Sequence, residues 1–221
     1  LTGYSLEELT RLTLLPSLLG ELPTEKHTAA ELQQLVKTYI GTLSFRLDTQ
    51  AKLGQTETCT PCLSAFASVL EENLVPAQEI LCEILTATKL VEADKIREIV
   101  AQKDESNRQF AVNAGHMLGR LATQARYSAA GAVREATGRG YTALRYIHDL
   151  AQNFDAKDPA LIALLQSAQA KALGKANLIV SVTATGEQDV SALLKALPAG
   201  DNFPAEAHYE AGLPHRMGIR I

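Results

Sequence analysis

The sequence has little of several residue types that mark common protein classes. It contains no tryptophan, two methionines and three cysteines, and aromatic residues make up 5% of its 221 residues. Three cysteines cannot all pair, so the chain is not a typical disulfide-stapled scaffold. No apolar run approaches the ~20 residues that a helix needs to span a bilayer. No basic segment followed by an apolar block marks a secretory signal near the N-terminus. We therefore expect no membrane partner and a cytoplasmic protein.

The sequence also lacks the motifs that carry catalytic or cofactor chemistry. It has no HExxH or HxxEH zinc motif, no GxSxG nucleophile elbow, no Walker loop and no Rossmann fingerprint. The five histidines are scattered, at His27, His116, His148, His208 and His215. His27 lies four positions before Glu31, a spacing that predicts a surface ion pair. We assign no catalytic residue, metal ligand or cofactor to this chain, and leave its substrate-binding residues open.

The cysteines offer one motif, and its context is unfavourable. Cys59 and Cys62 have CxxC spacing, but they precede a strand-like run rather than the helix that a redox CxxC opens. A zinc site would need two further ligands, and no second CxxC or HxxxH follows. A thiol enzyme using this pair is our weakest hypothesis. Cys82 falls on the apolar side of a predicted helix and is interpreted as a small buried hydrophobe.

What is present is the composition of an ordinary globular protein. Apolar residues make up 46% and charged residues 21%, and the net charge is −4. The 21 lysines and arginines are scattered, so no nucleic-acid partner is expected. We interpret residues 1–221 as a single domain and as a fragment of a longer protein. The Pro- and Gly-rich residues 198–221 are interpreted as a linker or tail that leads to a following domain.

Strand patterns occur in three separate places. Residues 42–49 alternate apolar and polar side chains, residues 63–70 form a second candidate, and residues 177–184 (NLIVSVTA) are the clearest. The final GIRI is predicted to begin another strand. Helical patterns outweigh strand patterns at least two to one. The sequence therefore predicts a helix-rich α+β fold, a small antiparallel sheet of three to four strands with helices packed on one face.

Helices are predicted over most of the remaining chain. Capping boxes at Ser5–Glu8 and Thr28–Glu31 open the first two. Later helices are predicted at residues 75–90, 92–127, 129–136, 141–153, 159–174 and 188–197. The helix at 92–127 would be ~50 Å long. Its middle, residues 101–109, is polar nearly all round, which indicates solvent or a polar interface rather than core. Gly115 and Gly119 are predicted to mark a close backbone approach.

Several phrases, in this order, resemble the M16 metallopeptidases of the presequence-protease type. They are LTGYSLEEL running into LLPSLLGELPTEKHTAAELQQLVKTYIGTLSFRLD, then GRGYTALRYIHDLAQ, and NLIVSVTATGEQDVSALLKAL. Together they cover nearly the whole chain, but they are patterns of apolar spacing and not catalytic signatures. In that family one polypeptide holds a catalytic half with the HxxEH zinc motif and a degenerate half.

Because HxxEH is missing, the resemblance implies the first domain of the C-terminal, inactive half, starting just after its opening strand. It implies a zinc metalloendopeptidase as the parent chain, with zinc in the catalytic half. The implied role is one wall of an enclosed chamber that holds unfolded peptide substrates and faces the catalytic half of the same polypeptide. The assisting Arg and Tyr of the family's inactive half are expected beyond Ile221.

One alternative stays open. The chain can instead be a helix-rich protein-interaction module unrelated to proteolysis, with its partner surface on the polar helix around residues 101–109. The complete reading frame separates the two hypotheses, because an upstream HxxEH motif is expected only for the peptidase.

Overall fold

A computed structural model describes residues 1–154 and 159–212. The helices and strands, numbered in chain order, are α1 (Leu6–Leu12), α2 (Leu15–Leu18), α3 (Ala29–Tyr39), β1 (Thr42–Gln50), β2 (Thr58–Ser68), α4 (Leu74–Ala87), α5 (Ala93–Asn113), α6 (Gly115–Gln124), α7 (Ala129–Thr137), α8 (Tyr141–Gln152), α9 (Pro159–Ser167), α10 (Ser191–Ala196) and β3 (Ala207–His208). Single 3-10 turns lie at Glu71–Asn73 and Lys175–Asn177, and a π-helical turn at Ala168–Ala172 follows α9. Among these described residues, no helix is both long and apolar enough to cross a membrane.

The three strands form an antiparallel sheet in the order β1–β2–β3. β1 pairs with β2 without interruption, from Thr42 opposite Ser68 to Gln50 opposite Thr60. β3 adds a short contact at the start of β2. Helices α2 and α7 pack on the sheet, against the face that carries Leu43, Phe45 and Leu47. The predicted α+β class, with a small antiparallel sheet and helices packed against it, is confirmed.

Local sequence signals account for the first helices. Ser5 accepts a hydrogen bond from the backbone of Glu8, whose carboxylate accepts one from the backbone of Ser5. Thr28 and Glu31 repeat this reciprocal arrangement at α3. Each box satisfies two donors that a helix start would otherwise leave unpaired. Both predicted capping boxes are confirmed.

The core lies between the sheet and the helices. Leucines of α1 and α2 and of the turn between them are fully buried, as are residues of α4 and α8; the largest of these side chains are Leu9, Leu12, Leu14, Leu15, Leu18, Ile84 and Ile147. Burial of such side chains is the main favourable term in folding. A second, smaller cluster joins Cys82 of α4 to Leu193 and Leu197 around α10. Cys82 is therefore a buried hydrophobe, as predicted.

The prediction of one continuous helix at residues 92–127 is wrong. The chain leaves helical geometry at Ala114, with φ −135° and ψ 36°, and this residue separates α5 from α6. The two helices have different packing partners, since α5 contacts α8 and α6 contacts α7. Nor do Gly115 and Gly119 mark a close approach, because a Cβ at either would meet open space. A close approach does occur at Gly131 of α7, where a Cβ would overlap the carbonyl group of Gln124.

The prediction of a strand at residues 177–184, the clearest strand pattern in the sequence, is also wrong. Residues 178–184 form neither helix nor strand, and Ile179 is 91% exposed. Side-chain pattern alone does not make a strand, because the backbone also needs a hydrogen-bonded neighbour. The third strand is instead β3, which lies within residues 198–221. His215 and the strand predicted at GIRI lie outside the described residues.

Candidate functional site

The CxxC cysteines lie on opposite faces of one strand. β2 begins at Thr58, earlier than predicted, and includes both residues. Side chains three positions apart in a strand point to opposite sides. Cys59 accordingly lies in the core at 1% exposure, whereas Cys62 is partly exposed on the other face. Burial raises the pKa of the Cys59 thiol. The geometry therefore provides neither a vicinal dithiol nor a shared ligand pair.

His27 does not pair with Glu31. Its Nδ1 lies 2.8 Å from Oε1 of Glu83 in α4, and the Thr24 hydroxyl donates to the same carboxylate oxygen. Glu31 is engaged in the capping box of α3. The prediction of a surface ion pair between His27 and Glu31 is wrong. His27 instead connects the turn before α3 to α4 through Glu83.

The polar segment at residues 101–109 is partly an internal interface. Asp104 of α5 is buried, and its carboxylate lies 3.2 Å from Nδ1 of His148 in α8 and 3.1 Å from the guanidinium of Arg108. Asn107, one turn further on, is also buried. The prediction of a polar interface is confirmed, but the contact lies between α5 and α8. Less of this helix is available as an external partner surface.

Titratable side chains do not gather into a metal site in the described part of the chain. No group of three or more His, Cys, Asp or Glu side chains there could hold an ion. Zinc coordination needs three or four converging ligands. The described residues of this chain therefore form no site that fits zinc. The resemblance places the zinc site in the catalytic half.

The face of the sheet opposite helices α2 and α7 carries exposed and partly exposed side chains, and we call it the open face. Its cross-strand pairs are Ser44 with Phe66, Arg46 with Ser64, and Asp48 with Cys62. The Phe66 ring is 60% exposed. Arg46 is exposed as well, and its guanidinium lies 3.6 Å from the Asp48 carboxylate. The open face thus combines an exposed aromatic ring, hydroxyl groups and charges of both signs.

The direction of the backbone groups shows which sheet edges are free. The Tyr209 N–H donates to the Glu57 carbonyl, and the ammonium group of Leu1 donates to the Pro61 carbonyl at 2.8 Å. Odd-numbered residues of β2 therefore direct their N–H and C=O groups towards β3, and even-numbered residues direct theirs towards β1. By the register, the backbone N–H and C=O groups of the odd-numbered residues of β1 point away from β2.

A groove runs beside this outer edge of β1, at its first half. Its volume is about 570 Å³, which is within the ~300–1,000 Å³ usual for ligand pockets. The walls come from the turn around α2, from α3 and from β1, and they include Pro16, Leu19, Val36, Leu43 and Phe45. This groove could not be predicted from the sequence. Alternation in residues 42–49 predicts a strand, but nothing local reveals which strand is at the edge.

Comparison with protein families decides the broader identity. Residues 1–150 match the family model described as associated with peptidases of family M16, subfamily C. The chain belongs to this peptidase-associated family. A comparison with curated proteins gave no match. The family match includes β1, β2, the open face and the groove, whereas α9, α10 and β3 follow it. The predicted link to M16 peptidases of this type is confirmed.

Proposed function

We propose that this chain is a non-catalytic part of an M16 zinc metalloprotease. Its open face forms part of the wall of an enclosed chamber that holds unfolded peptide opposite the catalytic half of the same polypeptide. The observation that carries the proposal is that the match to the peptidase-associated family covers a sheet with one face left bare.

The chemistry of the open face suits peptides of varied sequence. Phe66 offers an apolar ring, and the hydroxyls of Ser44 and Ser64 can donate or accept hydrogen bonds. Arg46 and Asp48 offer one charge of each sign. Such contacts are individually weak at an exposed surface. A wall of this kind holds a peptide without selecting one sequence.

In this proposal the chemical step belongs elsewhere in the polypeptide. The HxxEH zinc motif lies in the catalytic half, and this chain supplies neither a metal ligand nor a proton-transfer group to the reaction. Its contribution is to enclose and contact the substrate. The complete reading frame is a direct check, because an HxxEH motif upstream of Leu1 is required. Its absence would favour the interaction-module alternative.

The contact itself is testable by photo-crosslinking in the full-length protein. Phe66→p-benzoylphenylalanine places a photoreactive group on the open face. Val112→p-benzoylphenylalanine is the matched control, since Val112 is 64% exposed but belongs to α5 rather than to the sheet. An unfolded peptide substrate is expected to crosslink at position 66 and not at position 112. Equal labelling of the two positions, or none at 66 while the peptide is still cleaved, would refute the proposal.

A further inference from the structure

A pocket lies between α2 and α5, on the helical side of the sheet. α2 contacts both β1 and α5, and the volume of the pocket is about 360 Å³. Sites that hold small molecules usually have volumes of ~300–1,000 Å³. The walls of this α2–α5 pocket are formed by Ser17, Glu21, Lys95, Ile99, Gln102 and Lys103. The pocket is therefore not part of the open face.

Lys103 of α5 brings a positive charge to this pocket without a carboxylate beside it. Its Nζ donates a hydrogen bond of 2.9 Å to the hydroxyl of Ser17 in α2. Burial and the nearby Arg139 guanidinium both lower the pKa of the Lys103 ammonium group. Partly buried lysines are usually paired with an acid, because an isolated charge is costly to bury. Within residues 1–154 and 159–212, no carboxylate pairs with Lys103.

The hydrogen-bond donors of Lys103 and Ser17 exceed the acceptors available to them. A lysine ammonium group has three N–H donors, and Lys103 uses one of them on Ser17. The Ser17 hydroxyl accepts that bond, and its own O–H has no acceptor in the part of the chain that the structure describes. Two neighbouring donors beside a positive charge are suited to bind an anionic oxygen, because hydrogen bonds between charged groups are the stronger ones.

The other charged side chains of the wall limit the charge of the ligand. Lys95 is already paired with Glu98, since its Nζ lies 2.8 Å from the Glu98 carboxylate. Glu21 accepts a hydrogen bond of 2.9 Å from the neutral amide of Gln33, and no cation of the described chain pairs with it. One free cation and one free anion therefore line the pocket. Because Glu21 would repel a second negative charge, the pocket fits a monoanion better than a dianion.

We propose that the α2–α5 pocket is a binding site for a small monocarboxylate. The carboxylate accepts hydrogen bonds from Nζ of Lys103 and from the Ser17 hydroxyl. The short carbon chain of the ligand contacts Ile99, the apolar residue of the wall. The ligand is a free small molecule and not the peptide of the proposed function. Binding here does not depend on the proposed function, since the pocket is not part of the open face.

NMR of this chain, with ¹³C in its lysine side chains, tests the site directly. The probe is propionate, which replaces chloride at constant ionic strength. The Cε signal of Lys103 is expected to shift until the site is saturated, whereas that of the exposed Lys89 should not move. Binding should also raise the pKa of Lys103, because a bound anion favours the charged form. No shift at Lys103, or equal shifts at both lysines, would overturn the proposal.

A matched pair of variants tests the role of the lysine charge. Lys103→Met removes a charge from the pocket, while Lys89→Met removes one from the exposed surface. With the Ile99 methyl signals as the readout, we expect about tenfold weaker propionate binding for the first variant and no change for the second. Ser17→Ala should weaken binding about fivefold, through the loss of one hydrogen bond. Unchanged binding in Lys103→Met would refute the proposal and leave Lys103 as a link between α5 and α2.

A variant that gains binding keeps the test valid if Lys103→Met fails to fold. Glu21 is exposed, and Glu21→Gln removes the negative charge that opposes a dianion. At neutral pH, succinate should bind the parent chain about threefold more weakly than propionate, and Glu21→Gln should abolish this difference. Succinate or sulfate bound more tightly than propionate by the parent chain would refute the assignment to a monocarboxylate.

Discussion

The phenol of Tyr209 donates a hydrogen bond of 3.0 Å to the backbone carbonyl of Tyr4. The two residues are 205 positions apart, so this bond joins the two ends of the described chain. Tyr209 directly follows β3, and its own N–H bonds to Glu57 at the start of β2. The first contact ties the residue after β3 to the segment before α1, and the second ties it to the start of the sheet.

Tyr209→Phe should lower the free energy of unfolding by about 1–3 kcal/mol. The Tyr4 carbonyl would lose its partner in a buried site, where water replaces the bond poorly. Urea denaturation measures the change. Tyr127→Phe is the control, because that ring is 74% exposed and should have little effect. A Tyr209→Phe variant as stable as the parent would show that the bond contributes nothing.

The same residue predicts a loss of stability at alkaline pH. Burial raises the pKa of Tyr209 from 10.0 to about 12. Between these values the unfolded chain loses the phenolic proton while the folded chain keeps it. Stability is therefore full below pH 10 and falls as the pH rises towards 12. Urea midpoints across this range should fall less steeply for Tyr209→Phe than for the parent, and identical slopes would contradict the assignment.

The contact of Asp104 with His148 should stabilise the packing of α5 on α8. Asp104→Ala removes the acceptor of both His148 and Arg108, and we expect it to cost about 1–3 kcal/mol of unfolding free energy. A double-mutant cycle with His148→Ala should give a coupling of about 1 kcal/mol. Glu105→Ala, on the exposed side of the same helix, is the matched control. Additive effects would show that the two side chains do not interact.

The two CxxC thiols should differ in reactivity. A thiol-exchange reagent is expected to modify Cys62 in the native protein and Cys59 only after unfolding. The reasons are the position of Cys62 on the open face and the burial that both covers Cys59 and raises its pKa. Mass spectrometry of the labelled chain separates the sites. Rapid native labelling of Cys59 would contradict the structure, and loss of peptide cleavage when both Cys59 and Cys62 are replaced by Ser would reopen the thiol hypothesis.

Local sequence signals predicted the elements that depend on local contacts. The capping boxes at Ser5 and Thr28 were readable because both partners lie within three residues. The alternation of residues 42–49 predicted β1 because one face of that strand packs on helices and the other does not. The fold class followed from these elements.

Contacts between residues far apart in the chain could not be predicted from the sequence. His27 meets Glu83 across 56 positions, whereas the sequence offered the nearer Glu31. Residues 177–184 have the composition of a strand, but no strand of the described chain pairs with them, and composition does not supply a neighbouring strand. The groove was missed for the same reason, since it depends on which strand lies at the edge, whereas the alternation of residues 42–49 did predict one buried and one polar face for β1.

The central claim is that this chain contacts peptide substrate and does not cut it. The most direct measurement is to incubate the 221-residue chain with an unfolded peptide and Zn²⁺ and to analyse the products by mass spectrometry, with the full-length protein alongside. We predict that the chain leaves the peptide intact while the full-length protein cleaves it. Cleavage by the chain alone, in step with tight one-to-one zinc binding, would contradict the account.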